Sequence, residues 1–136
     1  MSVVKEKKVS RGITCLAEGA DQIYASVLGS LGIPYDAIIP CDHYDAVFAD
    51  PISRSTYEKL LQHAFKVELL DFPNPSPEAF YAAGARAVDE ADFLIAVWDG
   101  KMSRQKGGTA DIVAYARMIK KSIVRLDPKL QIRTEM

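Results

Sequence analysis

Cysteine is scarce in this chain: two residues, Cys15 and Cys41, among 136. Neither belongs to a Cys-x-x-Cys pair, which excludes a disulfide framework and a cysteine-built metal site. An excess of charge is missing as well. Seventeen basic residues face 18 acidic ones for a formal charge of −1, so the total favours neither nucleic acid nor an anionic membrane as partner. Long hydrophobic runs are absent, none approaching the roughly 20 residues of a membrane span. The first residues, with Lys5, Lys7, Lys8 and Arg11, lack the apolar core of a signal peptide. A cytoplasmic, reduced protein is the expectation. No internal repeat, low-complexity stretch or linker interrupts the chain. The apolar share of 49% and charged share of 26% are those of a globular domain, long enough for a core and too short for two. Residues 1–11 read as a polar N-terminal segment and 12–136 as a single domain.

Strand and helix patterns alternate along that domain. Ile13 to Leu16 is a short apolar run, broken at Glu18-Gly19-Ala20-Asp21. Ile23, Val27, Leu28 and Leu31 then recur at helical spacing, ending at Gly32 and Pro34. Tyr35 to Pro40 reads as a strand, followed by a loop or irregular helix over 41–54. Ser55 or Thr56 is expected to cap a helix with Tyr57, Leu60, Leu61, Ala64 and Phe65 on its apolar face. Val67 to Leu70 is a third strand. Ser76 and Pro77 mark the next helix start, with Phe80, Ala83, Ala87, Val88 and Ala91 turned inward. Phe93 to Trp98 is continuously apolar, the pattern of a strand buried on both faces. A helix from Thr109 to about Lys120 buries Ile112, Val113, Ala116 and Ile119, and Ser122 to Leu126 is a last strand before a polar tail.

This order predicts an α/β fold: a three-layer, Rossmann-like, mostly parallel sheet with helices on both faces. Ligands of such folds sit beyond the carboxyl ends of the strands. Four loops fall at that edge, Glu18–Asp21, Pro40–Tyr44, Phe72–Ser76 and Asp99–Thr109. Gly107-Gly108-Thr109, opening a helix after the most apolar strand, reads as a phosphate cradle, because glycine lets backbone amides approach an anion. It is neither a P-loop nor a dinucleotide fingerprint, since Gly-Lys-Ser/Thr and Gly-x-Gly-x-x-Gly are both missing. Asp99 and Gly100, at the end of that strand, suit a ribose hydroxyl; the competing reading of Asp99 is a loop cap. Trp98, the single tryptophan, reads first as core filling and second as a stacking surface. Ser103, Arg104 and Lys106 are either phosphate partners or a solvated loop. Glu18 beside Gly19 is placed to hold a hydroxyl or amine, while Asp21 reads as a helix cap. Cys41, His43 and Tyr44 have no second ligand cluster to join, so no metal is expected. His63 reads as a surface residue. No cofactor is implied.

The segments Gly12-Ile13-Thr14-Cys15-Leu16-Ala17-Glu18-Gly19-Ala20-Asp21, Ala96-Val97-Trp98-Asp99-Gly100 and Gly107-Gly108-Thr109-Ala110-Asp111 resemble the SLOG superfamily. Those are Rossmann-like nucleotide-binding domains related to the Lonely Guy phosphoribohydrolases and to DNA-processing protein A. The second half is also similar to nucleoside 2-deoxyribosyltransferases. The resemblance runs from about Gly12 to Leu126 and implies a nucleotide-like ligand held at Glu18, Gly19, Asp99, Gly100, Gly107, Gly108 and Thr109. Two departures qualify what it implies. The glutamate that performs glycosidic chemistry in those enzymes falls here at Ile112, and Asp111 is one place early, about 100° round the helix. Binding without catalysis, by a sensor or carrier, is therefore the expectation, with an N-glycosidic enzyme using Asp111 as the alternative. The usual first strand and helix are also missing. Met1 to Val4 supplies a strand, or the sheet closes differently, or a partner chain completes it, or the chain is a truncated form of a longer one. An open sheet edge predicts a homodimer.

Overall fold

The computed structural model describes residues 2–101, 108–127 and 133–136. It is an α/β chain that divides into two compact units, Met1–Asn74 and Pro75–Met136, each with its own sheet. Among the described residues no helix is long and apolar enough to cross a membrane.

In the first unit a short helix α1 (Ser2–Glu6) precedes β1 (Gly12–Thr14), α2 (Ala20–Ser30), β2 (Tyr35–Ile39), a 3-10 turn at Tyr44–Val47, α3 (Pro51–Gln62) and β3 (Lys66–Leu69). The strands lie in the order β1-β2-β3, all parallel, with Thr14 beside Ala37 and Ala37 beside Val67. Ala37, Ile38 and Leu28 are fully buried, and so are Val3 and Val4 of α1. Among the described residues the segment expected as a strand, up to Val4, is thus helical. Val3 instead accepts a helical bond from the Lys7 amide (2.9 Å), and its apolar pair goes into packing. Gly12 is required by close approach: a Cβ there would run into Leu28 Cδ1 and lie 3.1 Å from the Tyr24 ring.

Two helices of this unit differ from their sequence patterns. The third helix begins at Pro51, not after Ser55 or Thr56. Asp50 is its cap, its carboxylate accepting the Ile52 amide (3.0 Å), and proline at the first helical position has no amide to satisfy. Helix α2 buries Gln22, Ala25 and Leu28, while Ile23 and Leu31 are exposed. The inward face is rotated because Gln22 finds carbonyl partners inside, described below.

The second unit runs α4 (Pro77–Glu90), β4 (Phe93–Val97), α5 (Thr109–Met118), β5 (Ser122–Leu126) and β6 (Arg133–Glu135). Ser76 caps α4, its hydroxyl accepting the Ala79 amide (3.0 Å). Strands β4 and β5 are parallel, from Phe93 beside Ser122 to Val97 beside Leu126, and β6 returns antiparallel to β5. The sheet is therefore mixed. Its core is Val88, Ala96, Val113, Ala116 and Ile123, with Leu94, Trp98, Ile112 and Tyr115 packed round it. Ala96 alone of β4 is fully buried, and β4 stands at one end of the order β4-β5-β6. Strand β6 takes the place of an expected polar tail. It is held by backbone bonds, continued by the reciprocal Ile123–Met136 pair (2.7 and 3.2 Å), and so needs no apolar run.

Candidate functional site

The first unit gathers its polar loops at the carboxyl end of β1. Thr14 Oγ1 accepts the Leu16 amide (3.1 Å), and Leu16 is fully buried with φ +56, a backbone state that bulky residues rarely hold. Its carbonyl accepts from Gln22 Nε2 (3.4 Å), which also donates to the Ser53 carbonyl (3.2 Å). The Ser53 hydroxyl in turn donates to Glu18 Oε1 (2.8 Å). Glu18 is therefore tied to the start of α3, and Gly19, with φ +93, turns the chain into α2. Asp21 does not cap that helix. It sits in the first turn, with its carboxylate folded back to accept the Ala17 amide (3.2 Å). Burial raises its pKa above the ordinary value, against the pull of hydrogen bonds from Ala17, Cys15 and Thr14.

Electrostatics make this a quiet cluster. Burial, with the Asp21 charge second, pushes the Cys15 thiol up. Burial and then Cys15, Asp21, Tyr57 and Cys41 push the Tyr44 phenol up. Tyr57 is raised to about 12, chiefly by burial, and stacks on Phe48 at 4.8 Å. Burial is the first cause at all three groups. His63 is exposed at the end of α3, its Nδ1 paired with the Lys59 carbonyl (2.8 Å).

The second unit builds a different corner at the carboxyl ends of β4 and β5. Asp99 Oδ1 accepts the Lys101 amide (2.9 Å), a turn that leads through Gly100 at φ +87. Arg125 fills the space under that turn. Its Nη2 lies 2.8 Å from where a Gly100 Cβ would be, its Nε donates to the Trp98 carbonyl (3.1 Å) and its Nη2 to Asp127 (3.2 Å). The guanidinium stands over the Trp98 ring at 5.1 Å, with that of Arg117 at 6.0 Å. Trp98 Nε1 donates to the Lys101 carbonyl (2.9 Å), so the ring packs on the core and is also a platform for cations. Arg125 carries no local motif. Only the pairing of Ala96 with Arg125 brings it to Gly100, which is why its role is not readable in sequence.

Helix α5 opens at the same strand end, since it links two parallel strands. Gly108 is its cap residue, extended (φ −75, ψ 175), and no described side chain caps the helix. The amides of Asp111 and Ile112 turn back on the Gly108 carbonyl (3.1 and 3.2 Å). Thr109 is exposed. Ile112 packs on α4, where a Cβ at Gly84 would lie 2.8 Å from its Cγ1. Asp111 lines a cavity of about 430 Å³ with Tyr81, Ala114, Tyr115 and Met118.

Of the residues singled out in sequence, Asp99, Gly100, Gly108 and Thr109 belong to the second unit, at one strand end. Glu18 and Gly19 belong to the first. Gly107, Ser103, Arg104 and Lys106 lie outside the described residues. No protein-family model matches the chain, and no curated protein matches it.

Proposed function

We propose that this chain binds a nucleotide or nucleotide-derived small molecule without cleaving it, as a sensor or carrier, within a three-layer Rossmann-like architecture. The observation that carries this reading is the corner at the carboxyl ends of β4 and β5. There a positive-φ glycine, a guanidinium over the tryptophan ring and a helix start that no described side chain caps belong to consecutive elements of one β-α-β unit. In this reading the amides at Gly108 and Thr109 receive a phosphate, Arg125 supplies the countercharge, and the Asp99 carboxylate takes a ribose hydroxyl. Ile112, a hydrocarbon at the place of the glycosidic glutamate of the enzymes this chain resembles, supports binding without bond cleavage.

The test is incubation with nucleoside monophosphates and deoxynucleosides, read both as thermal shift and as released base. A ligand present at 100 times its dissociation constant adds about 2.7 kcal/mol of stability. Gly108→Asp should abolish the shift by charge repulsion while the chain stays folded. No shift with any nucleotide sinks the reading. Base release that Asp111→Ala abolishes replaces it with the enzyme alternative.

A further inference from the structure

We infer that β3 is the interface through which two copies of this chain pair, as antiparallel strands about a two-fold axis at Val67. This gives the expected homodimer a defined surface and does not depend on the nucleotide reading. Among the described residues β3 stands at one end of the order β1-β2-β3, paired only with β2. Val67 and Leu69 are two apart in the strand and so share a face, yet they are 48% and 56% exposed. Their neighbours on that face in β2, Ala37 and Ile39, are buried. An apolar face thus continues from the core to an open edge, the kind of edge that monomers normally blunt.

The backbone fixes which pairings are allowed. The Leu70 amide donates to the Ile39 carbonyl (2.9 Å), one step past the Ile39–Leu69 pair. By the alternation of a parallel ladder, Lys66 and Glu68 turn their backbone groups to β2, and Val67 and Leu69 turn theirs outward. A two-fold partner must then match outward groups with outward groups, which leaves three central registers. Centred on Lys66, the register sets Lys66 against its own copy. Centred on Glu68, it sets two glutamates together. Centred on Val67, Lys66 of each copy faces Glu68 of the other, and Val67 exchanges both backbone bonds with its copy. Charge selects the last. Lysine on an edge strand ordinarily repels a second copy, and here it meets a glutamate. Glu68 already has an interaction within its own chain, to which the partner's lysine adds.

The experiment is sedimentation velocity of the wild-type chain, Lys66→Glu, Glu68→Lys and the double variant, with circular dichroism to confirm that each is folded. The wild type should sediment as a dimer at micromolar concentration. Each single variant sets two like-charged pairs across the axis and should weaken dimerisation roughly tenfold or more. The double variant restores both pairs and should return to within a few-fold of wild type. A monomeric wild type, single variants that dimerise as the wild type does, or a double variant no better than the singles each overturns the proposal.

Discussion

Replacing Gly100 by alanine tests the corner at the end of β4 with a magnitude that splits into two parts. The first is backbone. With φ at +87, an L-residue with a Cβ is strained, at about 1–2 kcal/mol. The second is contact. The new Cβ would stand 2.8 Å from Arg125 Nη2 and 3.3 Å from Cζ, so the guanidinium must move. Its bonds to the Trp98 carbonyl and to Asp127 are loosened together. Bonds to a charged group contribute about 1.5–3 kcal/mol when fully kept, and partial solvent access to Arg125 puts the loss at the lower end. Gly100→Ala should therefore cost about 2–4 kcal/mol in urea unfolding. In an Arg125→Met background the contact part vanishes, and the same substitution should cost only the backbone part, about 1–2 kcal/mol. The double-mutant cycle isolates the difference. Equal costs in the two backgrounds, within about 0.5 kcal/mol, would refute the placement of the guanidinium under the turn. No cost in either would refute the turn itself.

Two further outcomes concern the first unit. Gln22→Leu should destabilise by about 1–3 kcal/mol, because the Leu16 and Ser53 carbonyls lose their donor in a buried setting; a neutral result in urea unfolding would show that water replaces the amide. Tyr57→Phe should alter stability at alkaline pH. The folded phenol is raised from 10.0 to about 12, so between those values the unfolded chain ionises first and stability falls as pH rises. The wild type's stability relative to the variant should be constant below pH 10.0 and decline from there to about 12; parallel curves would sink the assignment.

Much of this fold is readable where the chain buries a run. Tyr35–Ile39, Phe93–Val97 and Ser122–Leu126 are strands because their apolar residues are contiguous and their flanks polar. The rest depends on partners far along the chain. Gln22 is polar, yet it is buried in place of Ile23 because carbonyls at 16 and 53 await it. Two cap signals competed for α3, and Asp50-Pro51 prevails over Ser55 and Thr56 because it combines an acceptor with a residue that has no amide. Strand β6 has no apolar signature, since an edge strand is held by its ladder. At the candidate site, Asp99, Gly100 and Gly108 carry local signals of turn and helix start. Arg125 and Ser53 do not, since one reaches its place by strand register and the other by a bond to Glu18.

The phase of α5 is set by its packing. Val113 and Ala116 are fully buried in the core of the second unit, and Ile112 packs beside them against Gly84. Residues 111, 114, 115 and 118 line the cavity with Tyr81. A helix turns about 100° per residue, so the carboxylate at 111 and the side chain at 112 cannot exchange directions without moving the whole core stripe. Gly84 owes its lack of a side chain to that stripe: any Cβ there would collide with Ile112. A glutamate at 112 would have to place its charge in this contact, where an unpaired carboxylate is strongly disfavoured. The position is thus committed to joining α4 and α5. The opening turn, with Thr109 exposed, lies outside that stripe, and it is there that the proposed reading places the phosphate.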